Sequence, residues 1–349
     1  MRIEARTEIS KTMIYAAPII AVVLTMIAGL ALFEIMGRNP VDALYTFFVE
    51  PVSSLDGLAE LGVKATPLIL IAIGLSFGFR ANVWNIGAEG QLTIGALAGS
   101  TLALAYFNVD SPLLLPGMIF VSALGGMAWA AIPAFLKTRF NANEILTSLM
   151  LTYVGLLILS LLIHGPMKDP DGMNFPESRM FHDAALLPNL VEGTRLHIGF
   201  LIVIGVVATA WVILGRHIIG FQIRVIGMAP RAASFAGFSQ DKIVWLSFMV
   251  AGAAAGVAGI FEVAGPLGQV VPVISPGYGF TAIIVAFVGR LHPVGIFFAG
   301  LVMALSYLGG ENAQIEMNMP NAVIGVFQGM LLFFLLGCDV LIKYRLRFM

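Results

Sequence analysis

The chain has 349 residues, of which 59% are hydrophobic and only 11% are charged. A soluble domain carries roughly 25% charged residues and a disordered chain is poor in hydrophobic ones, so the composition excludes both classes. A net charge of -1 leaves no basic face for nucleic acid. The single cysteine, Cys338, excludes an internal disulfide. The predicted solvent of this chain is therefore the lipid bilayer.

Ten apolar runs follow one another along the chain. They cover residues 13–33, 65–79, 83–107, 113–136, 145–163, 198–214, 243–264, 270–288, 293–308 and 323–338. A helix of about 20 apolar residues crosses a bilayer, so each run is a candidate span. The first run follows Arg2, Arg6 and Lys11 as a signal peptide would, but it is too long for one and no cleavage site follows it. The sequence thus predicts an all-α polytopic membrane protein with about ten transmembrane helices.

Basic residues divide unevenly between the connections. With the N-terminus inside, fourteen Lys and Arg residues fall in inside segments and five in outside segments, which together make the 19 in the chain. Because cytoplasmic loops collect Lys and Arg, this bias predicts that both termini are cytoplasmic, an N-in/C-in orientation.

Three connections are too long to be simple turns. Residues 34–64 and 165–197 are predicted to lie outside, and residues 216–242 inside. Within the inside connection, Pro230 suits the first turn of a short helix and Gly237 suits its end. We interpret this helix as a docking element for a partner; a plain connector between two spans is the alternative.

Small residues recur at four-residue spacing inside the spans, which predicts close packing of helices. The pairs are Gly74 with Gly78, Gly95 with Gly99, Gly252 with Gly256, and Gly325 with Gly329. Glycine and proline also interrupt residues 274–279. This interruption indicates either a broken helix that lines a cavity or an outside turn before the eighth span.

Polar residues inside the spans are rarer. Glu89 follows Arg80 by nine residues, or about 13 Å along a helix, and is predicted to lie below the membrane interface near Asn85 and Gln91. A carboxylate at that depth belongs either to a structural network or to a transport pathway. Glu144 opens the fifth span, where an acidic residue interacts favourably with the helix dipole.

Enzyme signatures are incomplete. No Lys follows a Gly, so the phosphate-binding loop of ATPases is absent, and the five histidines have no metal-ligand spacing. Residues 74–78 match the Gly-x-Ser-x-Gly pattern around Ser76, but they are predicted to be helical, whereas a nucleophile elbow needs a strand, a turn and a helix. An intramembrane hydrolase that uses Ser76 is therefore a minor alternative.

Residues 79–91, with the sequence FRANVWNIGAEGQ, resemble the F-N-x-G-x-E-G-Q signature of permease subunits in bacterial ATP-binding-cassette (ABC) importers of the ribose, nucleoside and branched-chain amino acid group. The resemblance continues through residues 143–145, 226–237 and 276–295, and so covers most of the chain from about residue 65. The long outer loop and the long N-terminal part resemble the nucleoside branch.

The resemblance implies a type II-like ABC importer permease, with residues 1–349 forming one transmembrane permease domain in the bacterial inner membrane. It implies three protein partners besides membrane lipid: a second homologous permease, a cytoplasmic ATP-binding subunit and a periplasmic substrate-binding protein. ATP and Mg²⁺ would be used by the ATP-binding subunit, and this chain would bind no cofactor or metal and would not be an enzyme.

Two sets of residues are expected to function in such a permease. The candidates for the substrate pathway are Trp84, Asn85, Glu89, Gln91, Asn143, Glu144 and Phe280. The candidates for coupling to the ATPase are Gly227, Pro230, Arg231, Ala232, Ala233, Ala236 and Gly237. A nucleoside would meet the aromatic faces of Trp84 and Phe280, because aromatic rings stack on bases. Ala233→Asp is expected to uncouple transport while leaving the spans folded.

The predicted substrate is a purine or pyrimidine nucleoside. A simple sugar such as ribose, or a branched-chain amino acid, is the alternative for the same machinery. A different class, an ion-coupled secondary transporter using Glu89 or Glu262, predicts dependence on an ion gradient and no need for an ATPase.

Overall fold

The structure, a computed structural model, describes residues 2–5, 11–320 and 322–347, and Arg6 of the predicted inside set lies outside these ranges. The helices are α1 (Lys11–Ile35), α2 (Pro40–Leu44), α3 (Leu55–Arg80), α4 (Ala88–Ala105), α5 (Leu114–Phe140), α6 (Glu144–His164), α7 (Gly199–Arg216), α8 (Ile218–Met228), α9 (Pro230–Phe235), α10 (Gln240–Glu262), α11 (Tyr278–Val288), α12 (Pro293–Met317) and α13 (Ala322–Lys343). Short 3-10 or π turns occupy Tyr45–Val49, Glu50–Val52, Asp183–Ala185 and Val263–Leu267. Two strands, β1 (Arg2–Ala5) and β2 (Tyr344–Arg347), pair antiparallel.

Six helices of the described part are long and apolar enough to cross a membrane. They are Leu55–Arg80, Leu114–Phe140, Glu144–His164, Gly199–Arg216, Gln240–Leu267 and Pro293–Met317. The predicted all-α membrane class is confirmed, and the count of ten spans and their orientation stay predictions.

Three helix boundaries differ from the predicted ones. Helix α3 begins at Leu55, ten residues before the predicted span. The predicted span 83–107 is helical only over Ala88–Ala105, because Asn82 (φ 59°) leaves the helical conformation and ends α3. The predicted rise of about 13 Å from Arg80 to Glu89 is therefore wrong, since it assumed one continuous helix.

The predicted span 270–288 is likewise shorter in the structure. Only Tyr278–Val288 is helical, and the preceding segment contains Gly268 (φ 70°) and Gly277 (φ 99°), both in the left-handed region. Glycine adopts this conformation without steric cost, so the two positions permit the chain to turn before α11 begins.

The chain divides into two compact units. The first comprises Met1–Leu61 and Val302–Met349, where α1 packs along α13. Its core is aromatic: the ring of Phe327 lies 5.4 Å from that of Phe33 and 4.5 Å from that of Phe47.

The second unit, Gly62–Leu301, is built around a close packing of α4, α5 and α10. A side chain at Gly95 would overlap the backbone of Gly256, and one at Gly252 would approach the carbonyl oxygen of Gly126. Gly74 packs in the same way against α10 at Ala254. Glycine permits these backbone approaches, which lipid alone does not drive. The predicted packing is therefore present for these pairs.

The pair Gly325 and Gly329 behaves differently. A side chain at either position would meet no described atom within 4 Å. The predicted close packing of this pair against another helix is therefore not present within the described part of the chain.

The connection after α7 is more ordered than predicted. It consists of α8, which was not predicted, and α9, which starts at the predicted Pro230. Gly237 (φ 80°) ends α9, where the N–H of Phe238 donates to the carbonyl of Ala233 at 3.0 Å and that of Gly237 to the carbonyl of Ser234 at 3.0 Å. These two bonds form the Schellman motif that a C-terminal glycine favours.

Candidate functional site

The link between α3 and α4, residues 81–87, is held by a pair of amides. Asn85 Nδ2 donates to Gln91 Oε1 at 3.0 Å, and Gln91 Nε2 donates back to Asn85 Oδ1 at 3.1 Å. Asn85 Oδ1 also accepts the N–H of Gly87 at 3.0 Å. Both side chains are buried, so the pair satisfies polar groups that would otherwise be costly in an apolar interior. It fixes the path of the chain into α4.

A residue of α6 completes this link. Ser148 Oγ accepts the N–H of Ile86 at 3.1 Å and donates to the carbonyl of Glu144 at 2.6 Å. Ser148 was not among the predicted site residues, because a serine inside an apolar helix usually bonds to its own helix backbone and gives no other signal.

Glu89 connects α4 to α11. Its Oε2 accepts the backbone N–H of Gly279 at 2.6 Å, and only 3% of the residue is exposed. A side chain at Gly279 would overlap the backbone of Glu89, so the two helix starts approach closely. The carboxylate lies in the first turn of α4 and at the first turn of α11, and both helix dipoles favour a negative charge there.

The start of α11 is shaped by its own residues as well. Ser275 Oγ accepts the N–H of Gly277 at 3.1 Å and that of Tyr278 at 2.8 Å. Together with Glu89, Ser275 satisfies N–H groups that have no partner inside the helix. We call the contact of Glu89 with Gly279 the helix-start clasp. Of the two roles left open for Glu89, this geometry supports the structural one.

The two aromatic candidates are placed differently. Trp84 is half-buried, with its ring 5.2 Å from that of Phe79 and 5.7 Å from that of Phe287, and its Nε1 donates to Asn82 Oδ1 at 3.1 Å. Phe280, in the first turn of α11, is 37% exposed. Phe280 therefore has a free face for a solute, whereas Trp84 already packs against two aromatic rings.

Asn143 and Glu144 lie at the start of α6. Asn143 Oδ1 accepts the N–H groups of Ile145 at 3.0 Å and Leu146 at 3.3 Å, which makes it the N-cap. Glu144 pairs with Lys137 Nζ at 2.9 Å. The interpretation of Glu144 as a helix-start acid agrees with this position, and its ion pair with Lys137 joins α6 to the end of α5.

The coupling candidates separate into exposed and buried residues. The exposed ones are Pro230, Arg231, Ala232, Ala236 and Gly237. Ala233 is only 1% exposed, and a side chain at Gly227 would overlap the backbone of Arg80, so these two pack within the chain. The premise of Ala233→Asp, that the carboxylate enters a contact with a partner, is therefore wrong, because it would enter a buried contact of this chain. That the spans stay folded in this variant stays a prediction.

Two exposed apolar side chains at the same place were not predicted. Met228 ends α8 with 86% exposure, and Phe235 ends α9 with 95% exposure. Single exposed apolar residues are common on proteins, but here two large ones end consecutive short helices, and grouped exposed apolar side chains are typical of interaction sites. The sequence contained a signal, since Phe235 breaks the run of small residues in the predicted helix.

The hydrolase alternative does not fit the structure. Ser76 lies in the interior of α3 with 0% exposure, and its Oγ donates to the carbonyl of Ile73 at 2.7 Å. A nucleophile elbow exposes its serine at a sharp turn. Within the described residues, no group of three or more His, Cys, Asp or Glu side chains is placed to hold a metal ion.

The predicted outer connection, residues 165–197, is anchored to the segment after α10. Val270 N–H donates to Ser178 Oγ at 2.9 Å, Phe181 N–H to the carbonyl of Gly268 at 2.8 Å, and Leu187 N–H to that of Ala264 at 2.8 Å. Gln269 Nε2 donates to Glu177 Oε2 at 2.8 Å. The connection is thus a structured element.

His197 closes that connection in a tight pocket. It is 2% exposed, its Nδ1 accepts the N–H of Gly199 at 3.2 Å, and its ring lies 6.1 Å from that of Phe261. Side chains at Gly199 or Gly265 would overlap the imidazole. Burial lowers the pKa of His197 from 6.5 to about 4, because an apolar pocket disfavours the charged imidazolium.

Comparisons with known proteins cover nearly the whole chain. A family model described as "Branched-chain amino acid transport system / permease component" matches residues 57–336. A glucose ABC transporter permease protein of Haloferax volcanii is 36% identical, over 99% of this chain and 93% of its own length. Two guanosine ABC transporter permease proteins of Bacillus subtilis also match: NupP is 27% identical over 95% of this chain and 94% of its own, and NupQ is 27% identical over 74% and 84%.

Proposed function

The chain belongs to the family of branched-chain amino acid transport system permease components, and we propose that it forms one half of the translocation path of an ATP-driven importer. The resemblance of residues 79–91 to ABC importer permeases is confirmed at the level of the family. The chain is a multi-pass protein of the cell membrane. It is a permease and not an enzyme, and ATP hydrolysis belongs to a separate subunit.

The proposed topology has ten spans with both termini in the cytoplasm. In addition to the six long helices, α1, α4, α11 and α13 would cross or enter the membrane. Support comes from the distribution of basic residues, fourteen of the 19 in predicted inside segments. In this arrangement the whole chain is one permease domain, and α8 and α9 lie at the cytoplasmic face.

The observation that carries the proposed coupling is the exposure of α9. Phe235, 95% exposed, ends a short helix that packs against α8 and α10 and whose Ala233 is buried. A rigid helix with one large apolar residue fits a cleft of a partner, since aromatic anchors carry much of the binding energy of an interface. We propose that this partner is the ATP-binding subunit, which would use ATP and Mg²⁺ and leave this chain without a cofactor.

The coupling proposal predicts the effect of Phe235→Ser. Loss of an aromatic anchor costs about 2 kcal/mol or more at a binding hot spot. We expect substrate-stimulated ATPase activity and uptake to fall at least tenfold, while the amount of the chain in the membrane stays the same.

The matched control is Phe140→Ser, which replaces another exposed phenylalanine, 67% exposed, at the end of α5. It should leave both activities unchanged. Normal coupling in Phe235→Ser, or an equal loss in Phe140→Ser, would contradict the docking role of α9.

We propose that the helix-start clasp makes α4 and α11 move together during transport. Glu89 holds Gly279 at 2.6 Å, and Phe280 follows directly with a free face. A displacement of α4 would therefore carry Phe280 with it. Trp84, Asn85, Gln91, Asn143 and Glu144 remain pathway candidates, with their hydrogen bonds favouring the positioning of helix ends over contact with substrate.

The proposed assembly contains a second, related permease. The chain is similar to both NupP and NupQ, two different guanosine permease proteins of one bacterium, which supports a heterodimer of two such chains. An external substrate-binding protein would deliver the solute. Co-purification of the tagged chain from membranes checks this: a second permease and an ATPase are expected, and recovery of the chain alone would contradict it.

We propose a substrate that carries a sugar ring, either a nucleoside or a simple sugar. The relatives named for glucose and for guanosine support this class, and the glucose permease has the higher identity of the two. A branched-chain amino acid, which the family description names, is the remaining alternative. Phe280 would stack on a base or on the apolar face of a sugar.

Uptake of labelled nucleosides, glucose, ribose and leucine by cells with and without the gene separates these substrates. The proposal predicts loss of nucleoside or sugar uptake on deletion, with leucine uptake unchanged. Uptake that requires an ion gradient and continues without ATP would instead support the ion-coupled alternative, in which Glu89 or Glu262 binds the ion.

A further inference from the structure

An apolar groove of about 430 Å³ lies between α7 and the pair of helices α3 and α10 in the second unit. Ile73 and Phe77 of α3 and Val250 of α10 line one side, and Gly205 and Thr209 of α7 line the other. No charged residue lines it among the described residues. We call it the α7 groove. Ligand sites typically have volumes of about 300–1,000 Å³, so the α7 groove is large enough to hold a bound molecule.

The groove exists because α7 packs loosely against its neighbours. The backbone of α7 runs close to that of α8 but approaches that of α10 at few points. At Gly205 the space is open, because a side chain there would meet no described atom within 4 Å. On the facing side, Gly74 packs tightly against Ala254 and leaves no second gap. A void deprives the atoms around it of van der Waals partners, so this groove favours an occupant.

The polar groups of the lining already have partners. Among the described residues that line the groove, Thr209 alone has a polar side chain, and its Oγ1 donates to the carbonyl of Gly205 at 2.8 Å within α7. A buried water needs about two to four polar partners, and a buried sugar hydroxyl without a partner is costly. The lining therefore selects a hydrocarbon over water or a sugar-bearing solute.

The length and the opening of the groove match a lipid chain. From Ile202 to Ile213 the lining follows α7 for about 16 Å. One leaflet is half of a hydrocarbon core of about 30 Å, or about 15 Å. Ile202 lines the groove and is 39% exposed, and Thr209 is exposed as well. The α7 groove is thus continuous with the lipid-facing surface of this membrane protein.

From these observations we infer that the α7 groove binds one acyl chain of a membrane phospholipid. The chain fills the space between α7 and the pair of helices α3 and α10, and it takes the place of direct helix packing there. A helix of a second copy does not fit, because a helix about 10 Å wide and 16 Å long needs roughly three times the volume of the groove. With the proposed orientation, Ile213 lies near the cytoplasmic end of α7, so the lipid belongs to the cytoplasmic leaflet.

Photolabelling in a bilayer tests this inference. The probe is a phosphatidylcholine with a diazirine in the middle of one acyl chain, and the target is the chain purified with its bound subunits and placed in lipid nanodiscs. Residues 71–79 of α3 are all buried within the chain, so a lipid reaches them only through the α7 groove. Mass spectrometry is expected to find adducts on Ile73 or Phe77, as well as on exposed residues such as Leu157 of α6 and Val212 of α7.

Gly205→Phe fills the groove from the side of α7. It is expected to abolish the adducts on α3 and to leave those on Leu157 in place. Gly329→Phe is the matched control, because Gly329 is also an exposed glycine in an apolar helix with no described atom within 4 Å of an added side chain. It should change neither set of adducts.

Hydrogen exchange gives a second readout that needs no probe. Removal of phospholipid by detergent is expected to speed exchange in residues 202–213 of the unchanged chain, because α7 loses the atoms that it packs against. In Gly205→Phe the phenyl ring occupies the space, so removal of phospholipid should change exchange in this segment much less.

Two results would overturn the proposal: no adducts on residues 71–79 while Leu157 or Val212 is labelled, or equal adducts on residues 71–79 in Gly205→Phe and Gly329→Phe. The first result requires no variant, so the proposal stays testable even if Gly205→Phe does not fold. None of these measurements depends on transport or on the identity of the transported substrate.

Discussion

Single glycines set the distances between helices in the second unit. Gly256 faces the carbonyl oxygen of Ser122 so closely that a methyl group would overlap it, and a backbone atom cannot rotate away as the end of a side chain can. The close approach of α5 and α10 therefore depends on the absence of one carbon atom.

Gly256→Ala is expected to lower the free energy of unfolding by about 1–3 kcal/mol, the usual cost of overpacking. The thermal unfolding midpoint of the purified protein in detergent measures this. Gly329→Ala is the matched control, because a side chain there meets no described atom within 4 Å and should shift the midpoint little. Equal midpoints for the two variants would contradict the role given to Gly256.

In the helix-start clasp, the carboxylate oxygen of Glu89 accepts the backbone N–H of Gly279, so the clasp needs an oxygen acceptor at this position. Glu89→Ala removes the acceptor of the buried Gly279 N–H and should cost about 1–3 kcal/mol of stability together with most of the transport. Glu89→Gln retains an oxygen in the same place and should keep most of both.

Thermal unfolding and uptake assays on the two variants distinguish the roles of Glu89. If Glu89→Gln is as inactive as Glu89→Ala although it is stably folded, the negative charge itself is required, and an ion or proton site at Glu89 replaces the clasp as the explanation.

At the scale of the element, the connection at residues 165–197 is held by hydrogen bonds to the segment after α10 and closed by His197. The imidazole must stay neutral, because protonation of Nδ1 removes the acceptor of the Gly199 N–H and places a charge beside Phe261.

The lowered pKa of His197 makes this element sensitive to pH. Between about pH 6.5 and 4 the unfolded connection binds a proton that the folded one excludes, so its stability is complete above about pH 6.5 and falls by up to roughly 3 kcal/mol as the pH approaches 4. Hydrogen exchange in residues 165–198, compared at about pH 7.5 and about pH 5, is expected to show loss of protection at the lower pH.

His197→Asn keeps an acceptor for Gly199 but does not titrate, so the pH dependence of the protection should disappear. His182→Asn is the matched control, since His182 Nδ1 also accepts an N–H two residues ahead, that of Ala184, at 3.3 Å. A pH dependence that survives in His197→Asn would assign the effect to another group.

At the scale of the whole molecule, the proposed orientation is tested through the single cysteine. Cys338→Ala provides a background without cysteine. Met173 in the outer connection is 91% exposed and Met228 at the end of α8 is 86% exposed, so cysteine at either position is accessible to a reagent. A maleimide that does not cross membranes should label Met173→Cys in intact cells and Met228→Cys only after permeabilisation. The reverse pattern would invert the topology.

Much of this architecture was predictable because the bilayer imposes simple rules on a sequence. Each of the ten apolar runs overlaps a helix of the structure, since a backbone surrounded by lipid must satisfy its hydrogen bonds internally. Gly237 and Pro230 marked the ends of α9 because backbone conformation at a helix terminus depends on local residue type.

The chain's own sequence thus determined its class, its apolar helices, the short helix α9 and its family, because composition, periodicity and a contiguous motif act locally. Only the tertiary structure decided that Glu89 holds Gly279, and that Ala233 faces inward while Phe235 faces outward. Those facts depend on contacts between residues far apart in the sequence, such as Glu89 with Gly279, 190 positions apart, and no local pattern encodes such contacts.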